Sequence, residues 1–421
     1  MRDDDPILPP AGSRWQDRPA HRRWLEGEAD ALFAFFQGPL IDPAGGFFGL
    51  TREGQPIRDD GRVRQIHNTA RMVHCFAIGH LLGRPGCEAI IDHGMRFLRE
   101  GHRDPLHGGY VWSVGAEGPH DDTKQAYGHA FVLLAAASAK VVGHPLADAL
   151  LADVLEVLET RFWDERHGAV REEFARDWSP LGSYRGQNSN MHLTEALMAA
   201  FEATGDRIHL DRAERIAGLI IGRHAAERDD RVAEHFTADW VLDPDYRGSE
   251  VFRPSGTTPG HSLEWTRLLL QLWVLGDKRQ AWMPDAAERL FHQAVGLGWD
   301  RTHGGLFYTL DWDGRPAQRK KLWWPVAEGI GAAAFLGAHR PSAAAESWYR
   351  RFWDHAARHV IDRPFGGWHP ELTEDLRLGD TLFGGKSDLY HALQACLIPL
   401  FAKTGSLTRV IPAAEAGPAA S

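Results

Sequence analysis

Asp300-Arg-Thr-His-Gly-Gly-Leu-Phe, residues 300–307, decides how the chain is read, because the phrase returns along it. It stands also as Asp42-Pro-Ala-Gly-Gly-Phe-Phe (42–48), Asp104-Pro-Leu-His-Gly-Gly-Tyr (104–110), Asp164-Glu-Arg-His-Gly-Ala-Val (164–170) and Asp362-Arg-Pro-Phe-Gly-Gly-Trp (362–368). Successive spacings are roughly 60, 60, 136 and 62 residues, the mark of an internal repeat with one copy hidden in the wide gap. Asp229-Asp230-Arg231-Val232-Ala233-Glu234-His235-Phe236 fills that gap in weakened form. Six units of about 60–70 residues result.

Each copy opens on an Asp-initiated turn, passes through glycines able to take positive φ, and continues in alternating apolar and polar residues. That pattern predicts a short hairpin or extended loop. Helical periodicity lies between the copies. Residues 146–162 (LADALLADVLEVLETRF) and 192–203 (HLTEALMAAFEA) carry apolar side chains at i, i+3, i+4 and i+7. The same reading predicts helices over 70–82, 126–142, 261–275, 284–297, 326–336 and 387–401. Two helices per unit leave little room for anything but loops. Six helix pairs make either an open solenoid or a closed double ring. A solenoid needs polar ends, yet residues 21–37 and 386–402 are rich in Leu, Phe and Ala. The expectation is therefore an all-α chain folded as an (α/α)6 barrel, a toroid with short β-hairpins and loops at its mouth. A single domain over 19–404 is expected, between an N-terminal tail (1–18) and a C-terminal tail (405–421).

Composition fits a folded globular chain: 421 residues, 43% hydrophobic and 25% charged. Three cysteines, Cys75, Cys87 and Cys396, form no CxxC pair, which argues against a disulfide framework or cysteine zinc site. A net charge of −10, from 47 basic and 57 acidic residues, supplies no basic face for nucleic acid. No stretch is apolar for the ~20 residues a membrane helix needs, and the start MRDDDPILPP lacks a basic region followed by an apolar run. A soluble cytoplasmic protein, with no membrane partner, is the expectation. The 23 His and 16 Trp cluster beside glycines and prolines. Indole faces cover the apolar faces of sugars, and imidazole titrates near neutral pH.

In a toroid, polar residues just after each turn should converge. The six segments are His67-Asn-Thr-Ala-Arg71-Met-Val-His74, Lys124-Gln125-Ala-Tyr127-Gly-His129, Asn188-Ser-Asn190-Met-His192-Leu-Thr-Glu195, Pro259-Gly260-His261-Ser-Leu-Glu264-Trp265, Trp323-Trp324-Pro325-Val-Ala-Glu328 and Lys386-Ser-Asp388-Leu-Tyr390-His391-Ala-Leu-Gln394. His67, Arg71 and His74 share one helical face, as do Asn188 and His192. Each segment has a bland reading too. A lone His in a helix is more often a packing residue than a catalyst. Glu264 could simply answer a helix dipole, Arg71 could pair with a surface carboxylate, and Trp323-Trp324-Pro325 could be core before a helix start. The shared phase favours a site, since packing accidents would not fall at the same point of every unit.

No HExxH occurs, and the His residues sit in different units, so no metal site is expected. The His-x-x-Glu spacings of His192–Glu195 and His261–Glu264 reverse the Glu-x-x-His order of di-iron bundles. Walker A, GxGxxG and GxSxG motifs are absent, so no nucleotide cofactor or serine nucleophile is expected. What remains is several imidazoles, a guanidinium, amides, carboxyls and indoles. Proton transfer at a carbon next to a sugar carbonyl needs a base with pKa near 7 and a group that steadies an enediolate oxygen. His and Arg supply both.

The phrases TARMVH (69–74), TKQAYGHAF (123–131), NSNMHLTEAL (188–197), TPGHSLEW (258–265), LWWPVAEG (322–329) and GKSDLYHALQ (385–394) resemble the N-acylglucosamine 2-epimerase superfamily. The resemblance spans roughly residues 20 to 402. It leans toward the aldose–ketose isomerase branch, that of D-mannose and sulfoquinovose isomerases, and away from cellobiose 2-epimerases. It implies an (α/α)6 barrel, a monosaccharide substrate, no cofactor, and a metal-free cis-enediol mechanism. Carried over by position, His391 is the base at C2, His261 the second acid/base and Arg71 the group on the C1/C2 oxygens. His192, Asn188 and Tyr127 hold hydroxyls, Glu264 orients His261 or grips the substrate, and Glu328 and Trp324 belong to the pocket. His67 stands where this branch usually has an aromatic, which bears on the stacked sugar face and the C6 substituent.

The residue list serves isomerisation of D-mannose, D-lyxose or a C6-modified hexose to a ketose, and it also serves 2-epimerisation. Isomerisation is the first reading. Inverting glycoside hydrolysis would need two carboxyls about 6.5–9.5 Å apart, such as Glu264 and Glu328, and would leave the histidines idle. A non-enzymatic helical scaffold fits poorly with loops dense in Trp, His and Gly. Arg185, Arg247 and Arg253 are cations near the expected mouth that a C6 anion would want. A homodimer is the default assembly.

Overall fold

The computed structural model describes residues 13–58, 63–386 and 389–416. Thirteen α-helices run along the described residues: α1 (Pro19–Gln37), α2 (Ile66–Leu81), α3 (Cys87–Phe97), α4 (Ala126–Val141), α5 (Ala147–Val157), α6 (Gln187–Thr204), α7 (Arg207–Ala217), α8 (Pro259–Leu275), α9 (Trp282–Gly298), α10 (Trp323–His339), α11 (Ala343–His355), α12 (Tyr390–Leu397) and α13 (Leu407–Glu415). The even-numbered helices α2 to α12 form an inner ring in which each touches the next and α12 returns to α2. Each odd-numbered helix from α3 to α11 packs outside its even neighbour, and α1 completes the outer ring against α12. This is the expected closed (α/α)6 toroid.

The two rings differ in sequence for a physical reason. Inner helices are enclosed on all sides and need no polar stripe. Thus α4 reads AYGHAFVLLAAASAKV and buries almost every residue, and α10 reads WWPVAEGIGAAAFLGAH. Outer helices face water on one side: α7 (RIHLDRAERIA) buries only His209, Leu210, Ala213, Ile216 and Ala217.

The repeated turn proves to be a clasp. Its glycines take positive φ, as Gly304 (82°) and Gly305 (79°) do, and in the weak copy Asp229 and Asp230 adopt 53° and 57° without glycine. The turn aspartate then pairs with a cation two residues ahead of an inner helix, or four ahead for Lys386: Asp42–Arg64 at 3.0 Å, Asp104–Lys124 at 3.1 Å, Asp300–Lys321 at 2.7 Å and Asp362–Lys386 at 2.5 Å. All four pairs are buried, which makes them costly to break singly. In the third unit His167 meets Asp164 instead, at 2.8 Å. The residues just before each inner helix also pair antiparallel with the hairpin of the next unit: Arg64–Gln65 with Ser113–Val114, Lys124–Gln125 with Glu173–Phe174, Arg185–Gly186 with His235–Phe236, Thr257 with Leu310, and Lys321–Leu322 with Glu371–Leu372. Lys386 with Leu50 closes this circle.

Parts of both expected tails make ordered contacts with the ring within the described residues. Residues 13–17 are not a loose tail: Arg14 donates to the Gly337 carbonyl at 2.8 Å and the Trp15 amide to Glu346 at 2.9 Å. Residues 405–416 carry α13, which packs on α2, α4 and α6 at the end of the ring away from the hairpins and buries Leu407, Val410 and Ile411. Nine residues with an internal proline give too little periodicity to register as a helix, yet tertiary contacts hold it. The last inner helix is shorter than expected, ending at Leu397 before the turn Ile398–Leu400, where Pro399 removes a donor. The expected start of that helix at Ser387, and Asp388 of its motif, lie outside the described residues. No described helix is long and apolar enough to cross a membrane.

Candidate active site

All six inner helices begin at the hairpin face, so their first two turns meet around one hole. The positive ends of six helix dipoles therefore point at the same space, which suits a species that develops negative charge. A cavity of about 410 Å³ opens there. Its wall includes His67 and Arg71 from α2, Tyr127 from α4, Asn188 and His192 from α6, His261 and Glu264 from α8, Trp324 from α10 and His391 from α12. Nine of the ten residues singled out in the sequence thus share one wall. The tenth, Glu328, stands behind His391.

His391 donates from Nδ1 to Glu328 Oε1 at 2.8 Å. Burial pushes the Glu328 carboxyl up, but the Arg267 guanidinium and His391 outweigh it and hold it at about 2. His261 is held in the same way, donating from Nδ1 to Glu234 Oε1 at 2.8 Å. The Trp265 indole N–H, which can only donate, meets Gln187 Oε1 at 2.8 Å and so turns the Gln187 amide nitrogen onto Glu234 Oε2, also at 2.8 Å. Burial raises Glu234 too, and His261 with Gln187 brings it net below the usual carboxyl range. Both imidazoles therefore have Nδ1 committed and Nε2 available. They sit on one indole, their centroids 5.0 Å (His261) and 6.0 Å (His391) from that of Trp324.

Of the two roles the resemblance implies for Glu264, the hydrogen bond to His261 is made by another carboxyl, while Glu264 stays in the cavity wall. Glu234, not Glu264, orients His261. Glu264 Oε1 lies 3.5 Å from His192 Nδ1 and 3.8 Å from Arg267 Nη2. Burial, with Glu328 beside it, pushes Glu264 well above the ordinary carboxyl range, which favours its protonated form. His192 is likewise driven well below its usual value by burial and by Arg71, and it serves as a neutral ring. Arg71 donates to the Tyr127 hydroxyl at 3.0 Å and lies 4.3 Å over the Phe131 ring. His67 stacks on Trp112 at 5.1 Å and meets Phe252 edge-on at 5.6 Å, so an imidazole completes an aromatic wall.

Other histidines of the quoted motifs are packing residues. His74 bonds Ser138 at 2.7 Å and His129 bonds the Gln125 carbonyl at 2.7 Å, both outside the cavity. The three cations expected near the mouth do not line it. Arg253 is tied to Glu173 at 2.6 Å, Arg185 donates to the Tyr184 carbonyl at 2.9 Å, and Arg247 is exposed. His192, Glu195 and Glu264 come close enough to suggest metal ligands, but the Arg267 guanidinium already faces both carboxyls, bonding Glu195 at 3.2 Å. Sequence reasoning missed Gln187, Arg267, Phe252 and Tyr308. Glu234 was visible only as part of the weak sixth turn, and Arg267 only as the residue three after Glu264.

The model of the N-acylglucosamine 2-epimerase (GlcNAc 2-epimerase) family matches residues 45–395. The chain belongs to the N-acylglucosamine 2-epimerase family. Within this epimerase family it is similar to a D-mannose isomerase of Thermobifida fusca, 45% identical over 401 residues, which are 93% of this chain and 97% of the relative. A D-mannose isomerase of Pseudomonas cannabina pv. alisalensis is 44% identical over 404 residues, 94% of this chain and 96% of that protein. A crystal structure of a D-mannose isomerase superposes with a TM-score of 0.85 at 34% identity, covering 91% of this chain and 99% of the other.

Proposed function

We propose that this protein is an aldose–ketose isomerase that interconverts D-mannose, or a related aldose such as D-lyxose, with its 2-ketose. The observation that carries the reading is the pair of carboxylate-held imidazoles, His261 and His391, facing one cavity across Trp324. The relatives at 44–45% identity point to mannose.

His391 Nε2 takes the proton from C2 of the open-chain aldose. The electron pair moves onto the C1 carbonyl oxygen, and Arg71, with the six helix N-termini, stabilises that oxygen. The same imidazole returns the proton to C1, while His261 moves a proton between the C1 and C2 oxygens and assists ring opening. His192 and Glu264, with Asn188 and Tyr127, bind hydroxyls. Trp324, Phe252 and Tyr308 cover the apolar sugar face.

C2 epimerisation is the second reading, favoured by His261 being held by its carboxylate just as His391 is. Incubating the protein with aldoses in deuterated water and following ¹H and ¹³C NMR separates the two. Fructose from mannose supports isomerisation, glucose alone supports epimerisation, and no reaction with any aldose refutes both.

A further inference from the structure

Below the cavity floor, Arg267 is buried among carboxyls. Its Nε donates to Glu328 Oε2 and its Nη1 to Glu195 Oε1, each at 3.2 Å, and its Nη2 lies 3.8 Å from Glu264 Oε1. The other oxygen of Glu328 accepts from His391 Nδ1 at 2.8 Å. One carboxylate is thus shared between a guanidinium and the assigned base. We propose that Arg267 is a positioning residue for the proton transfer, acting on His391 through Glu328. The inference rests on the reading of His391 as the base.

The charged and titratable groups around Arg267 come from every helix that encloses it. Glu195 and His192 come from α6, Glu264 from α8 itself, Glu328 from α10, Tyr390 and His391 from α12, and Arg71 and His74 from α2. Tyr390 donates its hydroxyl to Glu195. Arg267 is the group that meets three of the four carboxyls of the site, and burial amplifies its effect. Removing a positive charge raises the proton affinity of every group that faces it. Without Arg267 the Glu328–His391 pair keeps a proton to higher pH, and an imidazole that holds it has no lone pair for C2–H. A flat guanidinium can bond two carboxylates in fixed directions where an ammonium supplies only charge.

The test is Arg267→Met beside Arg267→Lys in the full chain. It reads kcat, KM, the pH profile of kcat/KM for mannose, and the ¹⁵N imidazole titration of the pair. With methionine, the titration and the acid limb of kcat/KM should move up together by about one pH unit or more, with kcat at pH 7 down at least about tenfold. Lysine should restore the limb while leaving kcat several-fold low. Should Arg267→Met fail to fold, Arg267→Gln, which removes the charge but keeps an amide donor for the carboxyls, must show the same upward movement. An unmoved titration overturns the inference whatever happens to turnover. A titration that moves while the acid limb stays put removes His391 as the base, and the positioning role in the reaction with it.

Discussion

His391 gives its Nδ1 proton to Glu328 across 2.8 Å, and this single bond decides which nitrogen can act on a sugar. With Nδ1 fixed as a donor, Nε2 is the basic nitrogen. His391→Asn should therefore keep the fold, since asparagine still offers a donor to Glu328. Isomerisation and C2-proton exchange in deuterated water should fall by about a thousandfold. Retained exchange would move the base elsewhere.

Glu234 holds His261 although it lies outside every strong motif. Glu234→Gln keeps the shape and removes the charge, so the tautomer of His261 is no longer dictated. We expect kcat to fall by about tenfold or more with KM little changed. A variant with native kcat and raised KM would make Glu234 a binding residue instead.

Gly260 lets the Trp324 ring lie close against the start of α8, beside both imidazoles. A Cβ at this position would come within 2.4 Å of the Trp324 ring and 3.0 Å of Pro325. Gly260→Ala should push the indole out of place, raising KM and lowering kcat, with loss of stability of about 1–3 kcal/mol. Trp fluorescence and thermal melts report both effects.

The C-terminal helix closes the ring from below. Deleting residues 406–416 exposes the surfaces that Leu407, Val410 and Ile411 cover, at about 1.5–3 kcal/mol for each side chain. It also strips Glu202, which burial pushes up to about 7, of the Ser406 amide that its carboxyl oxygens accept at 3.1 and 3.2 Å. The truncated protein should melt several degrees lower. An unchanged Tm would return this segment to the status of a tail.

Stability should fall in mild acid. Burial lowers His74 and His355 to about 3 and His102 and His129 to about 4, from 6.5. In the folded state these rings stay neutral where the unfolded chain would protonate them. The unfolded state therefore binds more protons between about 6.5 and 3–4, and stability rises with pH across that window. It is fully present above 6.5 and lost progressively below. Urea unfolding at pH 5 should show a lower midpoint than at pH 7.5, and equal midpoints would contradict it.

The sequence by itself determined the repeat, the ring and most of the wall. The Asp-initiated turn has a local conformation, and six copies of it, three of them Asp-x-x-x-Gly-Gly, with apolar helices between them and no polar ends, favour a closed ring over an open solenoid. Residues at one phase of a repeat must end at one level of the toroid, and that phase groups His67, Arg71, Tyr127, Asn188, His192, His261, Trp324 and His391 around one cavity. Pairings across the ring were decided only by tertiary structure. Glu234 and His261 are 27 residues apart, Glu195 and Arg267 72, and Glu328 and His391 63. Periodicity says which level a side chain occupies, but hydrogen bonds between neighbouring helices depend on their rotation and spacing, which the packed core sets. For the same reason the expected link from Glu264 to His261 gave way to Glu234. The tail became a plug because nine residues too short to fold alone find their partners at the base of the ring.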